Sequence, residues 1–218
     1  MLTDSERARA LAIPRRAIAQ ALGPSPHADP AAPFRAEELP PVFDERRGVF
    51  VTLKRYPSRS LRGCIGYPLP VLPLRAALPR AGVAAAVEDP RFSPVRAEEL
   101  PRLAIEVSVL TVPVAIRAAD PTELVNAVRV GRDGLIVDGF GATGLLLPQV
   151  APEAGWDAEE FLEGTCEKAG LSSRAWRDPR VTVRRFEAEV FHEDRPGGEV
   201  ADDAPAVSAS GGRPSRRS

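Results

Sequence analysis

The stretch Leu61-Arg62-Gly63-Cys64-Ile65-Gly66 has the residue types best suited to chemistry. A thiol sits between two glycines, and glycine lets main-chain N–H groups come close to an anion or a substrate. In a regular strand Arg62 and Cys64 share one face. A guanidinium there would favour thiolate over thiol. Cys64 is thus the candidate nucleophile, and Arg62, Gly63 and Gly66 are the binding residues beside it. The same residues also fit a small buried thiol in a tight hairpin, because free cysteine is among the most buried residue types. No His or Asp stands near Cys64 in sequence to make a protease-like dyad.

Other candidates are more dispersed. Arg91, in Asp89-Pro90-Arg91-Phe92, can bind a ligand or simply pair with Asp89 at a helix end. Glu106 is either an acid that reaches the site or part of a solvated strand face. Gln149 can donate to a ligand from a helix N-terminus or merely cap it. Cys166 shares a helix face with Phe161 and Ala169 and reads as core. His27 and His192 read as exposed, and Trp156 and Trp176 as anchors of helix ends. Walker, G-x-S-x-G and H-E-x-x-H motifs are absent. The glycines at 139, 141 and 144 form G-x-G-x-x-G, but they precede Leu-Leu-Leu-Pro and read as a hairpin.

These residues need elements to hold them. Gly48–Leu53 and Leu61–Gly66 read as paired strands turning at Arg59-Ser60. Leu103–Leu110 reads as a third strand, with Glu106 and Ser108 on one face. Short strands at 135–138 and 144–147 flank turn glycines, and 181–191 reads as one late strand. Thr3-Asp4-Ser5-Glu6 is a capping box. Asp120-Pro121 and Asp157 also begin helices. Pro14 and Pro79 predict a kink or restart in helices over 4–22 and 74–88. Residues 24–41 read as an extended surface connector, and 195–218 as a disordered tail. Strands separated sometimes by helices and sometimes by turns indicate an α+β fold.

The chain has 218 residues, 44% hydrophobic and 27% charged. Of 29 basic residues only Lys54 and Lys168 are lysine, and 30 acidic residues balance them. That balance gives no general case for nucleic acid or an anionic membrane. A local cluster of Arg46, Arg47, Lys54, Arg55, Arg59 and Arg62 keeps RNA backbone contact open. Two cysteines and two histidines are too few for a zinc cluster or disulfide framework. No apolar run reaches the ~18 residues of a membrane span, and the N-terminus lacks a signal-peptide pattern. The expectation is a cytoplasmic protein without a cofactor.

"GVFVTLKR" followed by "LRGCIG" resembles the signature of the AMMECR family. "EDPRFSPV" at 88–95, "IEVSVLT" at 105–111, "GRDGLIVD" at 131–138 and "LLLPQVA" at 145–151 extend the likeness in order. "WDAEEFLEGTCEKAGL" at 156–171 and "DPRVTVRRFEAEVF" at 178–191 complete it. The resemblance covers about residues 4–193. It implies a mixed β-sheet with flanking helices within a domain over 1–194, a larger subdomain coming from both chain ends and a smaller one from the middle. It also implies a functional surface near LRGCIG, a small-molecule or nucleotide ligand, or RNA modification. Family gene context implies a Memo-like protein and a radical SAM protein as partners. It names no reaction and leaves enzyme or binding module open.

Overall fold

The computed structural model describes residues 1–24, 29–35 and 38–202. Helix α1 (Asp4–Ala21) opens on the expected capping box: the Glu6 N–H donates to Thr3 Oγ1, and the Glu6 carboxylate accepts from the Thr3 N–H. Strands β1 (Val49–Arg55) and β2 (Leu61–Tyr67) form a hairpin, followed by α2 (Leu74–Val87) and β3 (Leu103–Leu110). The middle of the chain supplies β4 (Val114–Ala115), α3 (Pro121–Ala127), β5 (Gly134–Gly139), β6 (Ala142–Leu146), α4 (Val150–Ala154) and α5 (Ala158–Lys168). Strands β7 (Thr182–Phe186), β8 (Ala188–Glu193) and β9 (Val200–Ala201) end the described chain.

The α+β class holds, but the strands form two antiparallel sheets, where one mixed sheet was expected. The larger runs β2-β1-β3-β8-β9 and the smaller β4-β7-β5-β6. The cause lies at Glu187. The late stretch is two strands, and Glu187 is where the chain leaves one sheet for the other. Its N–H donates to Thr111 Oγ1 at 2.9 Å and its carbonyl accepts from the Thr111 N–H. The larger sheet therefore takes strands from both chain ends and the smaller from the middle.

One face of the larger sheet buries Val49, Val51, Leu53, Ile105, Val107 and Phe191 against Ile13 and Ile18 of α1 and Leu74 and Leu78 of α2. The smaller sheet buries Leu135, Val137 and Val183 against Phe161, Leu162, Cys166 and Trp176. Leu110, Ile136 and Phe186 join the two units, with Phe50 and Leu145 packed on them.

Neither proline breaks its helix: α1 runs through Pro14 and α2 through Pro79. A proline removes one N–H donor, and both rings are buried in packing contacts. A Cβ on Gly82 would lie 2.7 Å from the Pro14 Cβ, so glycine lets α2 cross α1 directly over the proline ring. The connector is less superficial than its composition implies. Phe34 is fully buried, with the Arg16 guanidinium 4.9 Å from its ring centroid. Residues 195–202 are folded, because β9 pairs with β8; residues 203–218, and His27, lie outside the described residues. The glycine-rich stretch is the expected hairpin of β5 and β6, turning at Phe140 and Gly141, both at positive φ. Among the described residues no helix is long and apolar enough to cross a membrane.

Candidate functional site

The β1–β2 register decides where the motif residues point. Leu53 pairs with Gly63 but Lys54 pairs with Leu61, so Arg62 is an extra residue in a β-bulge. A bulge re-aims its side chain, and the regular alternation that would put Arg62 on the face of Cys64 fails there. Arg62 is 3% exposed. Its Nε and Nη2 donate to the two oxygens of Glu99 at 2.9 and 3.0 Å, and its Nη1 donates to the Ser93 carbonyl at 2.9 Å. That guanidinium, helped by the Arg96 N–H, lowers the Glu99 carboxyl to about 2. Among the described residues no hydrogen bond joins Arg62 to the Cys64 thiol.

The thiol's partner is Thr52, whose hydroxyl donates to Cys64 Sγ at 3.2 Å. Cys64, Thr52, Glu106 and His192 are successive register partners on β2, β1, β3 and β8. They therefore form one row on the sheet face away from α1 and α2. Lys54, two residues beyond Thr52, donates to Glu106 Oε2 at 2.5 Å. Cys64 and His192 are three strand spacings apart, roughly 14 Å, too far for a direct dyad. His192 is buried, not exposed as its place after a strand had implied, because Ala201 of β9 pairs beside it. Thr52 was not among the residues picked out in the sequence, and Lys54 stood out only as part of a basic cluster. Their signal was there, as the polar positions of an otherwise apolar strand.

The glycines are explained by packing. A Cβ on Gly63 would stand 2.0 Å from the Ala85 carbonyl oxygen of α2. A Cβ on Gly66 would meet the Phe50 ring at 2.4 Å and the Val49 carbonyl at 2.3 Å. Gly63 thus lies under a helix, and Gly66 under an aromatic ring.

Arg91 does both things its position allowed. It pairs with Asp89 through Nε and Nη2 at 2.9 and 2.7 Å, and its Nη2 also donates to the Cys64 carbonyl at 3.4 Å. Asp89 Oδ2 accepts the Cys64 N–H at 2.8 Å. The pair brackets the outer backbone edge of β2 at the motif cysteine. Arg91, with the Cys64 and Arg91 N–H groups, holds the Asp89 carboxyl well below the usual carboxylate range. Gln149 lies exposed just before α4 and lines a cavity of about 380 Å³ with Pro148, Glu187 and Val190. Val190 shares the sheet face of Glu106 and His192, so this cavity adjoins the polar row at the junction of the sheets. Cys166 is fully buried, and burial pushes its thiol up. Trp176 is buried beside it and Trp156 half-buried, as expected of anchors.

Among the described residues no group of His, Cys, Asp and Glu could hold a metal ion. Cys64, Thr52 and Glu106 line none of the five main cavities there; Cys64 and Glu106 are partly exposed on the sheet face and Thr52 is buried between them. Such an arrangement offers a hydrogen-bonded thiol and an ammonium–carboxylate pair to anything laid across it.

The AMMECR1 family model matches residues 11–191. A protein of Thermococcus gammatolerans is 56% identical over 167 residues, 75% of this chain and 81% of its own length. One from Methanothermobacter thermautotrophicus is 56% identical over 158 residues, 72% of this chain and 81% of its own. The crystal structure of uncharacterized protein PH0010 from Pyrococcus horikoshii superposes with a TM-score of 0.75 at 44% identity, covering 92% of this chain and 97% of that one.

Proposed function

The chain belongs to the AMMECR1 family, and from that premise we propose that it binds a small-molecule ligand or substrate across the Cys64 face of the larger sheet, in the cytoplasm. The observation that carries this reading is the row Cys64–Thr52–Glu106, extended by Lys54, on a sheet whose other face packs its core against α1 and α2. The Thr52 hydroxyl holds the sulfur in place, and Cys64 serves as nucleophile or contact. Glu106 and Lys54 hold each other in place and present a fixed dipole beside it. Gln149 closes one end, at the junction with the smaller sheet.

The test is alkylation of the native chain at neutral pH, followed by intact-mass and peptide mapping. Cys64 should be modified at least about tenfold faster than Cys166, which has no exposed surface. Equally slow modification of both thiols would overturn the reading. A second reading, docking of a Memo-like partner, is supported by the exposed apolar side chains of Leu61, Leu69 and Val71 on and after β2. In size-exclusion runs with such a partner, Leu61→Asp with Val71→Asp should abolish co-elution while Cys64→Ser leaves it intact.

A further inference from the structure

Arg62 organises a loop as well as a bulge. Besides Glu99, it reaches the carbonyls of Ser93 and Pro94, and Glu99 Oε1 accepts the Arg96 N–H at 3.0 Å. At the far end of the loop the Tyr56 N–H donates to the Arg102 carbonyl at 2.9 Å, which ties it to the end of β1. Between loop and hairpin lies a cavity of about 690 Å³, lined by Arg55, Tyr56, Arg62, Arg96, Glu99 and Arg102, with Glu98 also on its wall.

The charges of this cavity do not balance. Arg62 and Glu99 neutralise each other. Arg55, Arg96 and Arg102 then face only Glu98, which leaves three positive charges against one negative. Arg55 donates to the Leu61 carbonyl at 3.2 Å. The Arg96 and Arg102 guanidiniums have no hydrogen bond or ion pair among the described residues. Like charges on one wall without counter-charge call for an anion. Guanidinium matches phosphate in geometry and binds it bidentately. The Tyr56 side, 48% exposed, offers a flat ring. The volume falls in the range of small-ligand pockets, roughly 300–1,000 Å³.

We propose that this cavity binds a phosphate-bearing small molecule of the nucleotide class: Arg55, Arg96 and Arg102 take the phosphate, Tyr56 stacks on the ring, and Arg62 is a positioning residue that holds the loop. The proposal stands apart from the reading of the Cys64 face, because it uses none of that face's side chains.

The experiment is calorimetric titration of the full chain at low salt with two probes, inorganic pyrophosphate and AMP. Both should bind saturably and weaken as salt is raised. Arg96→Ala and Arg102→Ala should each weaken both probes about tenfold or more. These side chains are exposed and unpaired, so both variants should keep the wild-type circular dichroism. Tyr56→Ala should weaken AMP and spare pyrophosphate, and Arg117→Ala, in the smaller unit, should change nothing. Absence of saturable binding by either probe, or wild-type affinity in both arginine variants, would overturn the proposal. Pyrophosphate binding without AMP binding would overturn the nucleotide class. Binding of single-stranded RNA with neither probe bound would replace the small ligand by a polymer.

Discussion

Toward α1 and α2 the five-stranded sheet presents Val51, Leu53, Ile105, Val107 and Phe191; on its reverse it presents Thr52, Cys64, Glu106 and His192. The same strands supply both sets, one residue out of step. Each buried aliphatic side chain on the first face contributes about 1.5–3 kcal/mol. The second face contributes little to the core, and its polar groups are held by one another. The contrast teaches a division of labour: the packed face makes the strands rigid, and the rigidity fixes the spacing of the polar row. Gly63 and Cys64, adjacent in sequence, belong to opposite sides of that division.

The largest test falls on the packed face. Gly63→Ala would drive a methyl into the Ala85 carbonyl. It should destabilise the chain by about 3 kcal/mol, read as a shift in the urea midpoint. If Gly63→Ala unfolds like wild type, the two faces are not as different as described.

Next comes the bracket at the strand edge. Asp89→Asn should cost about 2 kcal/mol at pH 7, because it loses the ion pair with Arg91 and weakens the bond to the Cys64 N–H. The Asp89 and Glu99 carboxyls both titrate below their ordinary values in the folded chain. Their stabilisation is therefore complete above the unfolded carboxylate range near pH 4 and is lost as pH falls through the lower folded values. Wild-type stability, followed by denaturation at a series of pH values, should drop below about pH 4. The drop should be shallower in Asp89→Asn and shallower again when Glu99→Gln is added.

The smallest effect compares the thiols. Cys166→Ser places a hydroxyl among fully buried side chains and should cost about 1–2 kcal/mol. Cys64→Ser stays beside Thr52 at a partly exposed position and should change stability by less than about 0.5 kcal/mol. A larger loss for Cys64→Ser than for Cys166→Ser in thermal melts would reverse the assignment of the two sites.

Much of this was legible in the order of residue types. The helix starts at Thr3, Asp120 and Asp157 follow from capping chemistry that acts within one turn. Strands β1 and β3 and the core role of Cys166 follow from local hydrophobic pattern. What was not legible depends on partners far along the chain. The bulge at Arg62 exists because Glu99 and the Ser93 carbonyl, more than thirty residues on, capture its guanidinium. The burial of His192 depends on β9, whose Val200-Ala201 sits in a polar stretch. The split at Glu187 depends on Thr111. Pro14 and Pro79 look like breaks when only their own helices are counted, and stop doing so once the opposing surface fills in around the ring. At the candidate site, Cys64 and Glu106 could be chosen by type, but only register makes them a row with Thr52.

The bracket of Asp89 and Arg91 has a bearing on how the molecule keeps company with its own kind. β2 is an outer strand, and an outer strand with free N–H and C=O groups is a template on which another chain can grow. At Cys64 those two groups are already taken, one by a carboxylate and one by a guanidinium. An incoming strand would have to evict an ion pair before forming its first rung. The sheet is finished at the very residue whose side chain is left available, so molecules crowded together can meet at the Cys64 face without being stitched edge to edge.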